Sequence, residues 1–227
     1  MRPPLVWLAA GFVPVIALAT WRIVVPPPLP SGDVCGEVLG PTVLWRLGLA
    51  AVVLGSVAVM AVFLHADRRT LLVRWPSRPV VALSVAFALV VGPLALWLGP
   101  LLAEPFFGPV GYVVAPDGLA LPAFLAALVV ALANGALEEI TFRGALMGWG
   151  GRALGTLGAN ALQAVVFGVV HVGTDFTGNP LPVMLAVGVG GFIAGVIAER
   201  TRSLLLPIAV HAAFDLPLYY AFACRLG

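Results

Sequence analysis

Seven apolar runs, each long enough to cross about 30 Å of hydrocarbon as a helix, constrain this chain more than any other feature. They cover residues 5–20, 42–64, 80–102, 119–149, a stretch ending near 174, 181–198 and 203–223. An eighth arises if the long fourth run breaks. A bilayer has no water to satisfy unpaired backbone groups, so such runs cross as helices or as a closed barrel. The period-two alternation of a membrane barrel is absent. The expected fold is therefore all-α: a polytopic transmembrane helical bundle of about seven (seven to eight) membrane-spanning helices. Residues 1–227 read as a single integral membrane domain, with three N-terminal spans free of polar motifs in 1–118 and the motif-bearing core helices in 119–223. A soluble class is excluded by a chain 61% hydrophobic and 10% charged, with a mean hydropathy of +1.08.

The net charge of +2 gives no reason to expect a nucleic-acid partner, whereas the position of the charges orients the chain in its bilayer. All twelve basic residues are Arg. Arg68, Arg69, Arg74 and Arg78 follow the second span, Arg143 and Arg152 the fourth, and Arg200 and Arg202 lie between the last two. Arg concentrates in loops retained in the cytoplasm. The intervening loops hold Asp33 and Glu37, Glu104 and Asp117, then Asp175. This alternation predicts a cytoplasmic N-terminus and an outer C-terminus, with Arg225 as the one basic residue against it. Arg2, together with Ala17 and Ala19 in an A-x-A pattern, also fits a secretory signal, but Arg22 and the many later spans favour a retained helix. Arg-only basic usage with abundant Ala, Gly, Val and Pro suggests a GC-rich genome and a bacterial plasma membrane.

Cys35 and Cys224 are the only cysteines, and both fall on the outer side of this topology, where a disulfide could persist. Nothing in the sequence fixes their separation, so two unrelated small residues is the simpler reading. "VVPPPLPSG" at 24–32 is a stiff extended linker, because consecutive prolines cannot continue a helix. The segment 103–118 mixes Pro, Gly and aromatics as a second outer linker. "GVGGFIAG" at 188–195 allows close helix packing.

Sorting polar groups by depth isolates Asn134, Glu138, Glu139, Arg143, Gln163, His171, His211 and Asp215. An ionisable group within a span is costly and marks a functional site by default. Glu139 and Arg143 are i,i+4 and can pair on one face. Glu138 is rotated about 100° from Glu139 and shares its face with Asn134 and Phe142. His211 and Asp215 are again i,i+4, so the carboxylate can hold one imidazole nitrogen. Phe167 and His171 repeat the spacing. Counting from Trp149, Glu138 is about 16 Å deep; His211 is about 12 Å from Ser203 on the same side; His171 matches at about 16 Å if residues 150–159 form an interfacial connector. One carboxylate and two imidazoles then reach a common level, roughly halfway across and nearer the cytoplasm. Taken singly, each has a bland explanation: a packed histidine, a structural Glu139–Arg143 pair, and Asn134 and Gln163 as interhelical glue. His65 reads as interfacial. Convergence of two Glu, two His and an Asp on three helices is what packing alone explains poorly.

Two carboxylates and two imidazoles without an accompanying nucleophile fit activation of water by a general base, with an imidazole donating to a developing oxyanion. The G-x-S-x-G, H-E-x-x-H and G-x-G-D patterns of other intramembrane proteases are absent. Spacing leaves open a three-ligand zinc site built from Glu and His.

"EEITFR" at 138–143 resembles the E-E-x-x-x-R motif of the CAAX protease and bacteriocin-processing (CPBP) family, which includes the Ras-converting CAAX prenyl endopeptidase. "FGVVH" at 167–171 resembles its F-x-x-x-H motif and "HAAFD" at 211–215 its H-x-x-x-N/D motif. The likeness covers roughly residues 119–223. It implies an intramembrane glutamate-dependent endopeptidase that needs neither metal nor other cofactor. Glu138 would be the base and His171 its partner in activating water; His211 and residue 215 would help form the oxyanion hole; Glu139 and Arg143 would support the site. The prenyl endopeptidases carry Asn at the last position. Asp215 offers no amide donor, so orienting His211 is the expected role for it. The implied substrate is a membrane-anchored or lipid-modified protein or peptide. Two competing readings, a proton-coupled transporter and a non-catalytic membrane scaffold or immunity protein, also use buried Glu and His.

Overall fold

The computed structural model describes residues 2–25, 39–72, 74–107, 121–172 and 180–223. Cys35 and Cys224 lie outside them. The described chain is helical: α1 (Pro4–Val24), α2 (Leu39–Leu64), α3 (Arg78–Phe107), α4 (Leu121–Glu139), a π-helical segment (Ile140–Met147), α5 (Gly148–Val170), α6 (Pro180–Thr201) and α7 (Leu205–Ala223). No strand occurs among the described residues. α1 begins with proline in its first turn, where the missing N–H costs nothing, and ends just before the proline run at 26–28.

Five helical stretches are long and apolar enough to cross a membrane: Pro4–Val24, Leu44–Leu64, Arg78–Ala95, Phe124–Val170 and Pro180–Thr201. The expected seven differ in two places. Leu205–Tyr220 is apolar but shorter. Phe124–Val170 is one unbroken run of 47 residues, which as a straight helix would extend about 70 Å, more than twice a bilayer core. It doubles back instead, since the rings of Phe142 and Phe167 lie 4.8 Å apart. The reversal passes through Gly155, at φ 68° and ψ 169°. A side chain is strained there, and glycine is not. The turn falls within the expected connector at 150–159, which nevertheless stays helical on either side of the break.

α4 packs against α7, α5 against α6, and α1 against both α2 and α5, while α3 lies along α7. The outward surface is apolar: Ile16, Val59, Val62, Leu89, Val165 and Val189 are all exposed. That inversion of a soluble protein's surface, with Glu138, Glu139, Arg143, Asn160 and Gln163 buried, is what a lipid solvent selects. An integral multi-pass membrane protein follows.

The α5–α6 contact depends on the small-residue stretch. A Cβ on Gly168 would stand 2.5 Å from the Met184 carbonyl oxygen and 3.4 Å from Gly188 Cα, both backbone atoms of α6. Backbone cannot swing aside as a side-chain tip can. Gly168→Ala is therefore expected to destabilise the protein by about 1–3 kcal/mol, read as a lower thermal unfolding midpoint in detergent.

Candidate active site

α4 carries Asn134 and Glu138 one turn apart, and both are buried. Glu138, 1% exposed, uses its two oxygens differently. Oε1 accepts from Arg22 Nη2 at 2.5 Å. Oε2 has no hydrogen-bond partner among the described residues and lies 3.6 Å from Nε2 of His171 and 3.6 Å from Nε2 of His211. The three helices expected to meet do so at this carboxylate oxygen.

Each imidazole is fixed through its other nitrogen. His171 caps the C-terminus of α5, and its Nδ1–H donates to the Phe167 carbonyl at 2.7 Å. His211, on α7, donates from Nδ1 to Glu139 Oε1 at 2.9 Å. These are the only acceptors at each Nδ1, so both rings are held with Nε2 toward Glu138. Glu139 also forms the expected i,i+4 ion pair, 2.9 Å from Arg143 Nη1. Arg143, within the π-helical segment, donates from Nη2 to the Gly191 carbonyl at 3.1 Å. Short π segments in longer helices gather at functional sites.

Phe167 is the hub of the packing. Its ring centroid lies 4.5 Å from that of His171, 5.9 Å from that of His211 and 4.8 Å from that of Phe142, all edge to face. The Arg143 guanidinium stacks 4.3 Å from the same ring. One side chain of the F-x-x-x-H stretch thus positions both imidazoles and the supporting cation.

Two expectations are corrected by this geometry. Asp215 does not hold His211 by a hydrogen bond: its Oδ2 is 3.7 Å from His211 Nε2, an ion-pair distance only. Glu139 reaches Nδ1 first and takes the orienting role. Asn134 is not mere glue between helices. Its Nδ2 donates to Asp215 Oδ2 at 2.8 Å, and its Oδ1 accepts from Arg46 Nη1, whose guanidinium also donates from Nη2 to the Tyr219 hydroxyl. Gln163 does behave as expected, bonding Asn160 at 2.7 Å and the Gly191 carbonyl at 3.0 Å to tie α5 to α6 outside the centre. His65 is exposed at the end of α2.

Arg22 and Arg46 were missed from the sequence. Both come from spans without motifs, yet both reach the site. Arg46 sits inside the apolar run 42–64, so the depth criterion that selected Glu138 selects it too. Arg22 was assigned to the edge of α1. The helix does end two residues later, at Val24. α1 and α5 both stop at the level of Glu138, which Arg22 and His171 share. At their other ends Leu8 meets Gly150 and Arg152 covers Trp7, about 21 Å away along α1.

Among the described residues, no group of three or more His, Cys, Asp or Glu side chains is arranged to hold a metal ion. The centre is instead a carboxylate with two imidazoles, enclosed by three arginines on separate elements.

Fold and site together define a multi-pass helical membrane protein with a buried carboxylate–imidazole centre. Residues 120–217 match the family model described as Type II CAAX prenyl endopeptidase Rce1-like, so this part of the chain carries a domain of that kind, consistent with the CPBP family that its three motifs resemble. The matched region contains every residue of the three motifs. No curated protein and no solved structure matches the chain. The match supports a CAAX-type intramembrane protease.

Proposed function

We propose that the protein is a metal-independent, glutamate-dependent intramembrane endopeptidase that hydrolyses a peptide bond in a membrane-anchored or lipid-modified protein or peptide. The observation that carries this reading is the Glu138 Oε2 atom: buried, without a hydrogen bond among the described residues, and 3.6 Å from both Nε2 atoms. Separations just beyond hydrogen-bond reach between polar groups suit a bridging water.

A water there donates one O–H to Glu138 Oε2 and the other to the His171 Nε2 lone pair, which is left free because Nδ1–H is committed to the Phe167 carbonyl. Glu138 takes the first proton as the water oxygen attacks the scissile carbonyl carbon, and the carbonyl π electrons become the oxyanion. His211 lies between the Glu138 and Asp215 carboxylates, where an N–H at Nε2 can donate to that oxyanion. As the C–N bond breaks, its electron pair stays on nitrogen and takes the proton from Glu138, releasing an amine. Glu139 and Arg143 hold His211 in place.

Metal independence is supported by the charges that surround the carboxylate. Arg22 already occupies Oε1, so a metal ion would have to displace a buried ion pair. In the bilayer, the alternation of Arg-rich and acidic loops supports a cytoplasmic N-terminus. His171→Ala is expected to reduce Glu138-dependent cleavage in membranes by about 10²–10⁴-fold, and chelators are expected to leave wild-type cleavage unchanged. Cleavage lost on chelation and restored by added zinc would contradict the proposal.

A further inference from the structure

The proposed reaction leaves one requirement short. A tetrahedral oxyanion is normally met by two donors, and only His211 has been assigned. Asp215, beside it, is an acceptor when ionised. The neighbouring amide belongs to Asn134, and two contacts fix which way it faces. Oδ1 accepts from Arg46, a donor with no acceptor capacity, so the oxygen end is turned to α2. Nδ2 is thereby turned to α7, where one N–H donates to Asp215 Oδ2 at 2.8 Å. That carboxylate oxygen is the one 3.7 Å from His211 Nε2. The second N–H of Nδ2 has no partner among the described residues, although Asn134 is buried. A buried amide hydrogen without a partner is costly, and an oxyanion forming beside it would relieve that cost.

We propose that Asn134 is a further catalytic residue, donating its second amide N–H to the oxyanion alongside His211, and that Arg46 and Asp215 are positioning residues that fix its orientation. This inference rests on the protease reading above. It explains why an arginine from a span without motifs is directed at an asparagine, and why a carboxylate at 215 is compatible with the reaction. Asp215 supplies no donor itself but holds one. Arg46, bonded to the amide oxygen, also draws electron density from the group and makes its N–H a stronger donor.

The test is the rate at which Glu138-dependent protein termini appear in membranes, quantified by mass spectrometry for variants matched in folded amount. Asn134→Ala is expected to lower that rate about 10²–10³-fold, the loss typical of one oxyanion donor. Adding Asp215→Asn to Asn134→Ala offers a new amide at the same place without rebuilding the 134–215 hydrogen bond, and is expected to restore at least about tenfold of the loss. Adding Asp215→Leu instead removes the orphaned carboxylate but offers no N–H, and is expected to restore nothing. Should Asn134→Ala fail to fold, Asn134→Asp, isosteric and able to pair with Arg46, replaces it in the same comparison. Equal rates in wild type and the Asn134 variant, or equal recovery with Asn and Leu at position 215, would overturn the assignment while leaving the protease reading intact. Termini that persist in Glu138→Gln would overturn both.

Discussion

Glu138→Gln abolishes cleavage, lowering its rate by about 10⁴-fold, while the protein still folds. The two halves of this expectation come from the two oxygens of the side chain. Gln keeps an oxygen that can accept from Arg22 Nη2, the partner of Oε1 in the native chain, so the cation from α1 is not left without an acceptor. What Gln cannot do is take a proton from water, and that is the task assigned to Oε2, between the two imidazoles. Fold and activity should therefore separate. Unfolding curves of the variant and wild type in detergent should nearly coincide, whereas activity falls to background. A transporter or scaffold reading predicts a different pattern, with no cleavage to lose in either protein.

The second large effect concerns Glu139 and Arg143, and it is on stability. Both side chains are 1% exposed and 2.9 Å apart. A buried pair gains little over well-packed apolar groups, but removing one partner leaves an uncompensated charge and costs about 3–5 kcal/mol. Arg143→Met is expected to destabilise by that amount. It would also release the Gly191 carbonyl and the stack on Phe167. The double variant Glu139→Leu with Arg143→Met should cost less than Arg143→Met alone, because no lone charge remains. Thermal unfolding of the three proteins measures this non-additivity. Additive losses would mean that the two charges do not depend on one another. Activity should be lost in all three, since Glu139 also orients His211.

The part of this architecture legible in the sequence is the part dictated by lipid. Long apolar runs have one helical solution in a bilayer, and a few ionisable groups within them stand out because each is costly. Equal depth then brought Glu138, His171 and His211 together before any coordinate was known. Depth counting assumed straight helices of fixed pitch, and it failed where that assumption does. The π-helical segment at Ile140–Met147 has no sequence signature in the i,i+4 spacing of Glu139 and Arg143. The spacing of His211 and Asp215 suggested a bond between neighbours on one helix, but Glu139 arrives from α4 and takes the imidazole nitrogen first. A tertiary partner outcompeted a local one.

Arg22 and Arg46 mark the other limit. Three motifs on residues 138–215 drew attention to the C-terminal helices, and the family match at 120–217 covers the same region. The two cations come from α1 and α2, outside it. Nothing in their local sequence says which helix they face, because that depends on how α1 packs on α2 and α5. Charge balance offered a hint: Glu138, Glu139 and Asp215 are three buried carboxylates in the motif region, where Arg143 is the one intramembrane arginine noted. Buried charge calls for compensation, so cations from elsewhere in the bundle were to be expected.

The most direct test of the central claim compares new protein termini, by mass spectrometry, in membranes expressing wild type or Glu138→Gln, each with and without a chelator. Termini that appear with wild type, survive chelation and vanish in Glu138→Gln are the predicted result, and they would name the substrate at the same time. Identical terminus profiles from the two proteins, both folded and equally abundant, would contradict the account and leave the buried carboxylates to structure or transport.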